Sequence, residues 1–228
     1  MSKQRLAPLL LIPALALVVG CGEGKKSSGP DQVTNTCTKV SAAVPKPQLE
    51  HLSAPTQKLP EGSVWNLQFK TNCGNFTIRV DAAISPNAAS SFVSLAKSGF
   101  FDGLSFHRLA PGFVIQGGDP SGTGAGGPGY KTVDKPDPST AYPRGTVAMA
   151  KTGTEPPGTA GSQFFIVTAD HASLPADFAV LGTITNGKST PDLISSQDID
   201  VSRAMGGPQD GPPKEPIVIE SVKVSRAS

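Results

Sequence analysis

From residue 63 to residue 224 the apolar residues come in short runs with turn residues between them. Spacing of that kind suits many strands and few helices. Val64, Leu67 and Phe69 form one strand-like run, Thr71-Asn72-Cys73-Gly74 turns the chain, and Phe76, Ile78 and Val80 alternate as its partner. Further runs cover 104–109, 113–116, 146–150, 163–168, 178–184 and 217–224. Only two helices are predicted. One runs from Pro86 to Lys97, with proline in its first turn, Gly99 as its stop, and Ala89, Phe92, Val93 and Ala96 as its buried stripe. The other covers Thr190 to Ser196. Strands in such number, without an internal repeat, predict a mainly β protein: an antiparallel sandwich or barrel.

The rest of the chain divides by composition. Lys3 and Arg5 precede a 14-residue apolar run, Leu6 to Val19, in the pattern of a secretory signal over residues 1–20. A membrane-spanning helix needs about 20 apolar residues, and Pro8 and Pro13 also oppose a stable span. Val18-Val19-Gly20-Cys21 resembles a bacterial lipoprotein box, which implies lipidation of Cys21 and anchorage on the outer face of the cytoplasmic membrane or in the periplasm. Residues 21–61, rich in Lys, Ser, Thr and Pro, read as a largely disordered tether to a folded domain over 62–226. With Cys21 lipidated, Cys37 and Cys73 remain as a pair suited to an oxidising compartment. Lys and Arg total 20 against 18 Asp and Glu, so the net charge of +2 gives no electrostatic case for nucleic acid.

Several motif matches fail on context. Gly122 to Gly127 fits G-x-G-x-x-G, but Pro128-Gly129 follows where a dinucleotide site needs a helix to begin. Gly182 to Ser189 fits G-x-x-x-x-G-K-[ST]. There Ile184 continues the alternation of Phe178 and Val180, which reads as a strand ending in an Asn186-Gly187 hairpin turn. His51, His107 and His171 lack metal-ligand spacing and no C-x-x-C occurs, so no metal or other cofactor is expected. No serine lies in G-x-S-x-G.

The densest cluster of unusual residues runs from Phe106-His107-Arg108 through Phe113-Val114-Ile115-Gln116-Gly117-Gly118-Asp119, then a glycine loop ending at Gly129-Tyr130, with Gly161-Ser162-Gln163-Phe164-Phe165-Ile166 downstream. Eleven of the 19 residues from Pro111 to Gly129 are Gly or Pro. One arginine among aromatic residues, with a glutamine on a nearby strand and no nucleophile–base pair, suits recognition of an apolar group through one polar contact. The pattern F-H-R-x-x-x-G-F-x-x-Q-G-G-D, followed by G-T-G-x-G-G-P-G-Y and G-S-Q-F-F-I, resembles cyclophilin-type peptidyl-prolyl cis-trans isomerases from about Gly62 to Val224.

That resemblance implies a closed eight-stranded antiparallel barrel capped by two helices, acting on proline-containing peptides and unfolded exported proteins as a monomer. It puts Arg108 in the catalytic position and Phe113, Val114, Gln116 and Gln163 on the substrate face. Phe165 and Leu174 then line the proline pocket, and Ala150 and Lys151 lie on the strand that pairs with bound peptide. His107 matches the histidine beside the arginine and reads as structural. Two positions depart from many eukaryotic members: Ser173 replaces a tryptophan and Phe178 a pocket histidine. The first predicts weak cyclosporin binding, and the second slower turnover. Both sustain an alternative reading, a proline-segment binding module or chaperone that isomerises poorly.

Overall fold

Alternation builds the first hairpin. In β1 (Val64–Thr71) and β2 (Gly74–Asp81), Leu67 faces Ile78 and Phe69 faces Phe76, so each cross-strand pair buries two apolar side chains on the same face. The computed structural model describes residues 36–227. The predicted signal, Cys21 and the first part of the predicted tether lie outside the described residues.

Beyond the hairpin come β3 (Phe106–Ala110), β4 (Val114–Gly117), β5 (Thr132–Val133), β6 (Thr146–Met149), β7 (Thr159–Ala160), β8 (Phe164–Val167), β9 (Val180–Asn186) and β10 (Ile219–Arg226). Eight of the ten strands form one antiparallel sheet in the order β10-β1-β2-β9-β6-β8-β4-β3, while β5 and β7 make a separate two-stranded piece. The sheet curls until its ends meet, but the expected closed barrel is incomplete. Between β3 and β10 there is a single bridge, Ser105 to Val218, with Phe106 N–H donating to the Ile217 carbonyl and Ile219 N–H to the Leu104 carbonyl. The partner segments touch only at their first residues, so the molecule is a half-barrel with a stitched seam.

Two helices cover the ends. Helix α1 (Pro86–Lys97) has the expected bounds and buries Ala89, Phe92, Val93 and Ala96. Helix α2 (Ser189–Ser195) corrects the reading of the preceding turn. Gly187 takes φ +67° and leads from β9 into α2, where a hairpin was expected. Strand β9 already runs through Thr183 to Asn186, so the G-K-S match offers no loop to wrap a phosphate.

Residues 36–61 also differ from expectation. Their apolar residues are too isolated to show a period, yet Leu49, Leu52 and Leu59 each insert singly against the core. Cys37 is disulfide-bonded to Cys73 in the β1–β2 turn. Asn72 in that turn donates to the Thr38 and Pro216 carbonyls and accepts from Val218 N–H. Further along, a short 3-10 turn (Pro47–His51) lies between Lys46, whose N–H donates to the Pro120 carbonyl, and Leu52, whose N–H donates to the Pro128 carbonyl. Tied down at these points, the segment is a docked strap, and it contacts both ends of the glycine loop at Pro120 and Pro128.

Candidate active site

The pleat sends alternate residues of β4, β8 and β6 to opposite sides of the sheet. Ile115, Phe164, Ile166, Val147 and Met149 point into the main core, while Val114, Phe165, Val167 and Ala148 point outward. An outer face open to water is ordinarily polar. Here it carries a second apolar cluster, against which Phe113, Ala150, Leu174 and Phe178 pack half-buried. The predicted pocket residues Phe165, Leu174 and Phe178 are thus brought together, with Phe113 and Val114 beside them.

Strand register extends this face into a polar row. Arg108 on β3 lies opposite Gln116 on β4, Gln116 opposite Phe165 on β8, and Phe165 opposite Ala148 on β6. Arg108 Nη1 donates to Gln116 Oε1 at 2.9 Å, and Gln116 Nε2 donates to Gln163 Oε1 at 2.9 Å. Gln163 Nε2 in turn reaches the carbonyls of Gly124 and Gly126 at 2.9 and 2.8 Å. The glycine loop therefore holds the end of a relay that orients the arginine. Two of its glycines are required by geometry: Gly118 has φ +85° and a Cβ there would meet the Ser162 carbonyl at 2.5 Å, and Gly124 has φ +90°.

On its other side the guanidinium meets Asp210. Nε donates to Oδ1 at 2.7 Å and Nη2 to Oδ2 at 2.6 Å, a bidentate fork. Sequence reasoning missed Asp210, because Asp-Gly-Pro-Pro reads only as a turn. It also missed Tyr142, whose hydroxyl donates to the Phe178 carbonyl at 2.8 Å and accepts from Phe178 N–H at 3.0 Å. Tyr142 and Phe165 flank Phe178, whose ring stands edge-on to Phe165 at 5.3 Å between centroids. Tyr142 stands between Ala141 and Pro143, outside every strand-like run, and nothing in the sequence marks it.

Ala150 and Lys151 follow β6. Ala150 N–H donates to the Gln163 carbonyl at 2.8 Å. Lys151 turns its ammonium away from solvent to pair with Asp177 at 2.8 Å, 5.5 Å from the Phe178 ring centre. His107 is buried with neither ring nitrogen in hydrogen-bond geometry. Burial holds its pKa below the ordinary range, against the pull of Asp119 and with the push of Arg108. Asp119 stays below the usual carboxylate range although burial raises it, because Ser121 Oγ–H, Ser121 N–H and Gly124 N–H all bond to its ionised form. No cluster of three or more metal-ligating side chains occurs among the described residues.

Fold and site together define a β half-barrel whose outer face carries an apolar cluster beside a fixed guanidinium. The family model of cyclophilin type peptidyl-prolyl cis-trans isomerase matches residues 66–224. A Helicobacter pylori peptidyl-prolyl cis-trans isomerase is 43% identical over 133 residues, covering 57% of this chain and 80% of that protein. A probable peptidyl-prolyl cis-trans isomerase B of Mycobacterium leprae is 41% identical over 170 residues, 68% of this chain and 55% of its own length. Among solved structures, a Cryptosporidium parvum cyclophilin in the presence of the dipeptide Ala-Pro has a TM-score of 0.61 and 30% identity, covering 72% of this chain and 99% of that one. The chain belongs to the cyclophilin-type peptidyl-prolyl cis-trans isomerase family. Its activity is the interconversion of cis and trans X-Pro peptide bonds.

Proposed function

We propose that this protein accelerates X-Pro isomerisation in exported proteins, with Arg108 as its catalytic residue. The observation that carries the reading is the position of Arg108, fixed in the cross-strand row that ends in the outer apolar cluster. Amide resonance sets a barrier of about 18–20 kcal/mol, and unaided X-Pro isomerisation takes tens of seconds or longer. No bond breaks, so the enzyme must only favour the twisted amide over both planar forms. Twisting localises a lone pair on the proline nitrogen, and a guanidinium N–H can donate to it.

The surrounding residues then divide the work. Phe113, Phe165 and Leu174 hold the proline ring, with Val114 and Phe178 completing the wall. Gln116 and Gln163 keep the guanidinium aimed, and the backbone of Ala150 and Lys151 lies alongside the peptide. The chemistry calls for no cofactor. Lipidated Cys21 would place the enzyme on the outer face of the membrane, where newly exported chains emerge. Weak cyclosporin binding is expected from Ser173, and the monomer is expected to suffice because the whole row lies within one chain.

A protease-coupled assay on an X-Pro peptide tests the reading. The wild type should accelerate isomerisation, and Arg108→Ala should lower kcat/KM by about 10²–10³-fold, the usual loss for one oriented donor. Turnover undiminished in Arg108→Ala would overturn the mechanism. The second reading, a binding module that isomerises poorly, is favoured by Phe178 in the pocket wall; it predicts peptide binding without rate enhancement. Mass spectrometry of the mature N-terminus tests the lipid on Cys21.

A further inference from the structure

The segment before β10 reaches back over the active face, and its placement is fixed by backbone contacts. Leu109 and Gly211 exchange both N–H···O bonds, at 2.8 and 3.0 Å. Met205 N–H donates to the Asp210 carbonyl at 2.7 Å, and Asp210 N–H to the Gly207 carbonyl at 3.1 Å. This tight turn leaves the Asp210 side chain only 14% exposed and sets it against Arg108. Little space surrounds the pair, since a Cβ at Gly206 would lie 2.5 Å from Asp210 Oδ2 and 3.5 Å from Arg108 Nη2.

A guanidinium has five N–H donors. Asp210 takes two, on Nε and Nη2, and Gln116 takes one on Nη1. One donor therefore remains on each Nη nitrogen. Without Asp210 the guanidinium would be held through a single neutral hydrogen bond and could turn about its last torsions. With it, the plane is clamped from both sides and the two unused donors are held in a fixed orientation.

We infer that Asp210 is a positioning residue for the isomerase reaction, holding the Arg108 guanidinium so that its free Nη donors meet the proline nitrogen. This inference rests on the assignment of Arg108 as the catalytic residue. The clamp acts on the transition state, because the hydrogen bond it aims exists only when the amide is twisted. Its loss should therefore lower kcat and leave KM nearly unchanged, whereas loss of a pocket wall would raise KM.

The experiment measures kcat, KM and Tm on an X-Pro peptide for the full chain and for Asp210→Ala, Asp210→Asn, Arg108→Ala and the double variant Asp210→Ala/Arg108→Ala. Asp210→Ala should lose about 10-fold in kcat with KM within twofold, as expected for a misaimed group. Asp210→Asn keeps one acceptor and should lose less, with the Tm of the wild type. In the Arg108→Ala background, Asp210→Ala should cost nothing further. Asp210→Ala and Asp210→Asn both at wild-type kcat, with Arg108→Ala inactive, would overturn the positioning role alone. Additive losses in the double variant would also overturn it. An inactive wild type, or a fully active Arg108→Ala, would overturn the catalytic assignment and the clamp with it. If Asp210→Ala fails to fold, Asp210→Asn decides by the same kcat criterion.

Discussion

The two faces of one sheet do different work with nearly the same residue types. Of the ten phenylalanines, seven (Phe69, Phe76, Phe92, Phe100, Phe101, Phe106 and Phe164) belong to the main core, and three (Phe113, Phe165 and Phe178) to the outer cluster. On the inner face every ring meets other rings: Phe164 lies 5.3 to 6.0 Å from Phe69, Phe92, Phe101 and Phe106, centroid to centroid. On the outer face the rings form a wall, and the polar row of Arg108, Gln116 and Gln163 begins beside them. Adjacent residues such as Phe164 and Phe165 therefore have opposite assignments, decided only by the two-residue period of the strand. The inner face stabilises the fold, and the outer face carries the candidate site.

The comparison can be broken first at the disulfide. Cys37–Cys73 closes a loop with a sequence separation of 36. Removing it with Cys37→Ser/Cys73→Ser should cost about 3–4 kcal/mol on the chain-entropy estimate. Urea unfolding reads that loss, and the folded fraction should keep its kcat/KM if stability and site are separable.

Next in size is Arg108→Lys, which keeps the charge but loses the planar fork shared by Asp210 and Gln116. It should lose about 50-fold in kcat/KM, with a Tm within a degree or two of the wild type. A smaller effect sharpens the boundary between the faces. Tyr142→Phe removes the hydroxyl that clamps both backbone groups of Phe178, and should cost about 1–2 kcal/mol with a modest rise in KM.

The smallest effect is on pH dependence. His107 has a folded pKa held below that of the unfolded chain, so the unfolded state binds its proton first as pH falls. Stability is therefore complete above about pH 6.5 and declines below it. Asp119, also lowered on folding, adds a further loss as pH falls through the carboxylate range. His107→Gln should flatten the upper part of this decline in Tm, leaving the lower part in place.

The inner face was legible in the sequence because burial leaves a period. Leu67, Phe69, Phe76, Ile78 and Val80 alternate, and Ala89, Phe92, Val93 and Ala96 recur at helical spacing. The outer face was legible only through a motif. Phe165 or Gln116 alone carries no periodic sign of facing a ligand; residue chemistry marked the arginine and the glutamine, and only the resemblance singled out Phe165. What stayed hidden depends on contacts remote in sequence. Asp210 is 102 residues from Arg108, Leu49, Leu52 and Leu59 dock one at a time, and two-residue strands such as β5 and β7 are too short to alternate. The open seam between β3 and β10 rests on a single bridge, which no pattern announces.

The most direct test of the two-face account compares Phe164→Ala with Phe165→Ala, measuring unfolding free energy and kcat/KM per folded molecule for each. Phe164→Ala should lose about 3–5 kcal/mol of stability while its folded fraction keeps kcat/KM within twofold of the wild type. Phe165→Ala should lose less stability but about 10-fold or more in kcat/KM, as a wall of the proline pocket disappears. Phe165→Ala with unchanged kcat/KM, or Phe164→Ala with the larger catalytic loss, would contradict the account.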